Sequence, residues 1–133
     1  MKIESYKDLL VWQKSMVLVV EIYKLTKSFP KSELYGLTSQ MRRAALAIPS
    51  NVAEGYRRRH TKEYLRFLTI ANGSAAELET QICAAKSLED TGDLDYSKVD
   101  NLLLEILKML NVLISKLGMK YYLTTPYSLH PTA

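Results

Sequence analysis

YSKVDNLLLEILKMLNVLISKLG, residues 96–118, is the stretch whose reading decides the fold. Tyr96, Val99, Leu103, Ile106, Leu110, Leu113 and Leu117 recur in alternating steps of three and four. That spacing puts all seven on one stripe of an α-helix and excludes the period-two alternation of a half-buried strand. Gly118 stands where it would close the helix, so a helix is predicted over 95–117. Upstream, the turn-rich EDTGDLD separates it from a third helix over 61–90, whose apolar row is Tyr64, Leu68, Ala71, Ala75, Leu78, Ile82 and Ala85. Thr61 is placed to cap that helix, and Glu63 lies near its positive end. A second helix is predicted over 32–57, with Ser32 as N-cap and Leu34, Leu37, Met41, Ala45, Ile48 and Val52 inward. The first, over 8–29, carries Leu9, Trp12, Met16, Val19 and Tyr23 in one row and Leu18, Ile22, Leu25 and Phe29 in another; Phe29-Pro30 ends it.

Helices of these lengths span about 33–45 Å at ~1.5 Å rise per residue, and short links make consecutive ones antiparallel neighbours. The expectation is an all-α, up-down-up-down four-helix bundle filling 1–118 as a single domain. The tail, 119–133, has no helical period; it is read either as disordered or as docked through Tyr121, Tyr122 and Leu123.

Composition narrows the function classes. Of 133 residues, 47% are hydrophobic and 24% charged, the balance of an ordinary globular protein. A single cysteine, Cys83, excludes an intrachain disulfide framework and a cysteine-based zinc cluster, and it reads as a small core residue. MKIESYKD is too polar for a signal peptide, and LLVWQKSMVLVV (9–20) falls short of the ~20 apolar residues of a membrane span. A cytoplasmic protein without membrane contact is expected.

Charge is unevenly spread. Residues 42–66 carry a net +5, against +2 for 1–41 and −3 for 67–133. In the predicted topology Lys2, Lys7, Arg57, Arg58, Arg59, Lys62, Lys116 and Lys120 collect at one end against Glu4, Asp8 and Glu63, and Glu89, Asp90, Asp93 and Asp95 at the other, offset in part by Lys27 and Lys31. Arg57, Arg58, Arg59 and Lys62, with Arg66 one turn later, are candidate phosphate contacts; Tyr56 and His60 are candidate stacking partners for unpaired bases. A charge run is equally compatible with a merely solvated face.

The chain also carries more apolar surface than one bundle requires. The fourth helix adds Leu102, Leu104, Leu107, Met109, Val112 and Ile114, and the first adds Leu10, Val11, Val17 and Val20. Exposed together they would form a patch unusual for a monomer, so a homo-oligomer joined through helices 1 and 4 is expected. Cyclic symmetry would point every basic end the same way.

Pro49, inside the second helix, removes an N–H and frees the Ala45 carbonyl, so a bend is expected with Ser50 or Asn51 bonding freed backbone groups. Gly36, Gly55 and Gly73 are read as sites of close helix approach. Arg42 and Arg43, with Glu54, Glu77 and Glu79, are read as an internal or inter-subunit ion-pair network that fixes register. Metal, cofactor and catalytic sites are not expected: His60 and His130 are the only histidines and complete no Glu-x-x-His pair, and no glycine-rich phosphate loop exists. The chain does not read as an enzyme.

VWQKSM, then FPKSELYGLTSQMRRAALAIPSNVAEGYRR, then KEYLRFLTIANGSAAELETQI resemble the four-helix-bundle family of 23S rRNA-intervening-sequence proteins over residues 6 to about 117, with IPSNVAEG the most specific element. The resemblance implies a ring-shaped homopentamer. More distantly the chain is similar to accessory subunits of diversity-generating retroelements, basic pentamers that associate with a reverse transcriptase and nucleic acid. The reading is therefore a non-enzymatic homo-oligomer associated with RNA or DNA through a basic end. The alternative is a scaffold for a partner protein such as a polymerase or reverse transcriptase.

Overall fold

The computed structural model describes residues 2–124. Four α-helices follow one another, α1 (Leu10–Thr26), α2 (Ser39–Arg57), α3 (Thr61–Ser87) and α4 (Ser97–Thr124), with no strand among the described residues. They pack as a bundle whose main contacts run α1–α2, α2–α3, α3–α4 and α4–α1. Leu18, Ile22, Met41, Ile48, Leu68, Leu78, Ile106 and Leu110 are fully buried in the single core between them. Every member of the predicted α3 row except half-buried Tyr64 is also buried.

Local chemistry moves several predicted boundaries. α1 begins at Leu10 rather than residue 8, because a 3-10 turn at Tyr6–Asp8 closes on itself first. There Ser5 Oγ accepts from the Lys7 N–H (3.1 Å), while the Asp8 carboxylate accepts from the Ser5 N–H (3.1 Å) and the Glu4 N–H (2.9 Å). Ser32 does not cap the second helix. Residues 31–33 form a 3-10 turn and Leu34–Thr38 a wider π turn, so α2 proper starts only at Ser39. Glu33 causes the delay: its carboxylate takes the Leu37 N–H (3.2 Å), and Gly36 adopts φ −111°, ψ −112°, outside helical geometry. Leu34 is thereby turned outward and is 46% exposed.

α3 starts with Thr61 as its first residue and His60 in the capping position, with no side chain bonding the free N–H groups. It ends at Ser87, where buried Thr91 Oγ1 donates to the Ala85 carbonyl (2.6 Å) and Tyr96 Oη donates to the Thr91 carbonyl (2.7 Å). α4 runs past Gly118 to Thr124, because Gly118 stays helical; no described glycine has positive φ. Residues 119–124 of the predicted tail are thus helix, and residues 125–133 lie outside the described residues.

Pro49 is buried within α2, which remains a single helix through it. The Asn51 side chain donates to the Ala47 carbonyl (2.8 Å), not to the Ala45 carbonyl that Pro49 frees. Ser15 and Thr26 are buried although polar, since each hydroxyl donates to the carbonyl four residues back, Val11 (2.6 Å) and Ile22 (2.7 Å). Side chains tie the helices along their length. Lys14 bridges Glu105 (3.2 Å), Lys98 bridges Glu21 (3.4 Å) and Lys86 bridges Asp100 (2.6 Å). Burial pushes the Glu21 carboxyl up, but hydrogen bonds and charge from Lys24 and Lys98 outweigh it and hold Glu21 below the usual carboxylate range.

The excess apolar surface is narrower than the sequence suggests. Val11 is buried, and Leu102, Leu107, Met109 and Ile114 pack partly against the chain's own core. Leu10, Val17, Val20, Leu104 and Val112 remain 45–56% exposed. Cys83 is exposed, not a core residue as its type suggests.

Candidate nucleic-acid interface

The segment that carries the positive charge is built by the junction of α2 and α3. Gly55, which ends the IPSNVAEG element, lets the two helices touch: a Cβ there would sit 2.7 Å from Phe67 Cβ and 3.2–3.3 Å from Tyr64 atoms. Tyr64 is held beneath the junction with its ring edge-on to Tyr56 (centroids 5.9 Å apart, planes at 90°). Burial, helped by Tyr56, pushes the Tyr64 phenol from the usual 10 up to about 12.

A raised phenol pKa favours the folded state only while the ring stays protonated. Its contribution is complete below pH 10 and is lost as pH rises through about 12. At ~1.4 kcal/mol per unit the ceiling is about 2–3 kcal/mol, and solvent reaching the half-buried ring brings the loss below it. Urea midpoints measured from pH 9 to 12 are expected to fall more steeply in the wild type than in Tyr64→Phe, which has no proton to lose.

Just beyond α2 the chain turns through Arg58 (φ −69°) into Arg59, at φ 61° the one described non-glycine residue in the left-handed region. This position after a helix usually belongs to glycine, since a Cβ there costs about 1–2 kcal/mol. All five sequence-predicted cations, Arg57, Arg58, Arg59, Lys62 and Arg66, are exposed, as is His60. They do not form one cluster. Arg57 and Arg59 line a polar cleft with Tyr56, Glu4 and Ser5. Lys62 and Arg66 line a separate groove with Leu65, Thr69, Ile70 and Tyr121. Arg58 and Arg66 stand 5.2 and 4.8 Å from the Phe67 ring centroid, and each holds an acid of its own, Glu54 (3.0 Å) and Glu63 (3.2 Å). Among the described residues no ion pair engages Arg57, Arg59 or Lys62. Sequence alone ranks the five equally; the helix-spaced acids Glu54 and Glu63 were the signal that Arg58 and Arg66 are partly neutralised.

The ion-pair network expected of Arg42, Arg43, Glu54, Glu77 and Glu79 does not form within the chain. Arg42 Nε instead donates to Thr26 Oγ1 (2.9 Å), its guanidinium lying 4.4 Å from the Tyr23 ring centroid, and so it fastens α2 to the end of α1. Arg43 donates to Gln40 Oε1 (2.6 Å), Glu54 belongs to Arg58, and Glu77 and Glu79 are exposed. Arg42 is only half-buried and strands no acid when removed. Arg42→Ala is therefore expected to lower stability by about 1–2 kcal/mol in a denaturant titration, short of the ~3–5 kcal/mol of a broken buried pair.

No group of three or more His, Cys, Asp or Glu side chains gathers among the described residues, and no described helix is long and apolar enough to cross a membrane. No curated protein matches the chain. A family model does, over residues 7–112, which takes in all of α1, α2 and α3, the junction with its three arginines and more than half of α4. The chain therefore belongs to the family of 23S rRNA-intervening sequence proteins.

Proposed function

We propose that the chain is a non-enzymatic, cytoplasmic homo-oligomer that holds RNA at the α2–α3 junction, mainly through Arg57, Arg59 and Lys62, with Arg58 and Arg66 as secondary contacts. The observation that carries this reading is Arg59. A long cationic side chain occupies a left-handed backbone position that glycine fills at lower cost, beside Arg57 and an aromatic ring. Strain of this kind persists where the side chain is needed.

We also infer an up-down-up-down course with antiparallel neighbours. The cross-links Lys14–Glu105 and Glu21–Lys98 support it, because residue numbers rise along α1 as they fall along α4. The start of α1, the α2–α3 junction and the end of α4 then share one pole. The exposed apolar residues of α1 and α4 support self-association, and the family resemblance implies a ring of five. One junction with a few free cations binds weakly; several held side by side bind by avidity. Contacts to phosphates give little sequence preference and a steep dependence on salt.

Labelled structured RNA titrated across a salt series tests this, comparing wild type with a variant carrying glutamate at positions 57, 58, 59 and 62. Equal affinity and equal salt slope would overturn the proposal. A protein partner recovered from nuclease-treated lysate that needs the same arginines would favour the scaffold reading instead.

A further inference from the structure

Two surfaces that the RNA reading does not use complement one another. The first is a groove between the second half of α1 and the first half of α2, lined by Val19, Val20, Tyr23, Leu34 and Leu46. Val20 is 50% exposed, Leu46 40% and Leu34 46%; Tyr35, next along the π turn, is 91% exposed. The charged side chains along the groove are all basic: Lys24, Lys27, Arg42 and Arg43. Lys27 and Arg43 are the two that neither hold an acid, as Lys24 holds Glu21 (3.3 Å), nor turn inward, as Arg42 does to Thr26 and Tyr23. The second surface is the corner between α3 and α4. It presents Leu88 (45% exposed) with Glu89, Asp90 and Asp93, all exposed.

Hydrogen bonds hold that corner together. Thr91 and Tyr96 lock it by their hydrogen bonds, and the Gly92 N–H donates to the Leu88 carbonyl (2.8 Å). A Cβ on Gly92 would lie 2.7 Å from that same oxygen, so the turn is as tight as backbone allows. Asp95 contributes less, because its carboxylate is taken by the Ser97 N–H (3.0 Å) and hydroxyl (2.7 Å).

Their placement matters as much as their charge. Thr26–Arg42, Glu21–Lys98 and Lys86–Asp100 tie the end of α1, the start of α2, the end of α3 and the start of α4 to one end of the bundle. Helix contacts in the order α1, α2, α3, α4 put the groove and the corner on opposite flanks of that end. In a cyclic assembly every copy stands at the same height, so one flank of each copy meets the other flank of the next. A like-to-like contact would oppose lysine and arginine to their own kind; a head-to-tail contact opposes them to carboxylates.

We infer that neighbouring copies of this chain meet head to tail, the basic α1–α2 groove of one receiving the acidic α3–α4 corner of the next, with Tyr35 as the apolar anchor. The inference rests on the self-association proposed above and assigns its surfaces: the α1–α2 groove from one copy, the link between α3 and α4 from the next. Tyrosine is well suited to such a role, since it covers a large area for little loss of side-chain freedom.

Charge swaps read by light scattering on a sizing column test it, with circular dichroism to confirm helix content. Reversing the groove (Lys27→Glu with Arg43→Glu) or the corner (Glu89→Lys with Asp90→Lys) is expected to raise the concentration of half-assembly at least tenfold. All four positions are exposed, so the single-chain fold survives. Both reversals in one chain restore complementarity at every contact and are expected to recover the wild-type mass. Tyr35→Ala is expected to weaken assembly without changing helix content. If the wild type runs at the 15.2 kDa of a single chain, self-association itself falls, and this inference with it. If the wild type assembles but neither reversal lowers its mass, or the combined chain is no better than either, only the head-to-tail contact is overturned. Dissociation by Leu10→Glu with Val112→Glu, with both reversals silent, would place the contact instead on the apolar groove that Leu10, Met109, Val112 and Leu113 line between α1 and α4.

Discussion

Glutamate at positions 57, 58, 59 and 62 is expected to remove nearly all RNA affinity at moderate salt and to flatten what salt dependence remains. Each phosphate neutralised by a cation releases condensed counterions and adds about −0.7 to the log–log salt slope on a single strand, or about −0.9 on a duplex. Five cations on one junction therefore set a slope of roughly −3.5 to −4.5 per subunit engaged. The reversal leaves Arg66 alone against four new carboxylates. The pairing pattern allows a finer test: Arg57, Arg59 and Lys62 hold no acid, whereas Arg58 and Arg66 do. Removing Arg59 alone should reduce the slope by close to one contact, and removing Arg58 by less, because Arg58 must first leave Glu54. An exposed pair holds by only about 0–1 kcal/mol, so that discount is small but measurable in slope. Slopes that do not distinguish Arg58 from Arg59 would count against the assignment.

Gly55→Ala is expected to destabilise the protein by about 1–3 kcal/mol, although alanine is the better helix former. At an open helical site the same change gains up to about 1 kcal/mol. Gly73 and Gly118 are such sites, since an added Cβ meets nothing within 4 Å at either. At Gly55 it would meet Phe67 Cβ at 2.7 Å. That atom is fixed to the α3 backbone and cannot swing aside, so α2 and α3 must separate. Denaturant titrations of Gly55→Ala, Gly73→Ala and Gly118→Ala should therefore split in sign. Separation would also shift the junction that displays the arginines, so Gly55→Ala should weaken RNA binding beyond any loss of folded protein. A Gly55→Ala chain as stable as wild type would remove the close-approach account.

Gly73 shows where sequence reasoning over-reached. Like Gly55 it is a glycine within a helix, but only the fold says which of the two faces a neighbour. The α3 and α4 rows were legible because regular apolar spacing over several turns leaves one solution. Val99, Leu103, Ile106 and Leu110 are all buried. α1 was less legible, for a local reason: Ser15 and Thr26 read as polar, yet each satisfies its hydroxyl within its own helix and enters the core, while Met16 of the predicted row is 37% exposed. The delayed start of α2 depended on one carboxylate, Glu33, reaching one N–H, which no periodicity records. At the candidate interface the residue types were visible in sequence. So were the acids one turn from Arg58 and Arg66; what no spacing records is the left-handed backbone angle at Arg59.

That angle bears on how the gene would respond to selection. A library screened only for heat resistance should enrich glycine at position 59, relieving the left-handed backbone at no cost to the core. Screened for its ligand, the same library should keep arginine there against that thermal pressure. The residue that drifts in one screen and stays fixed in the other marks where this chain trades robustness for grip.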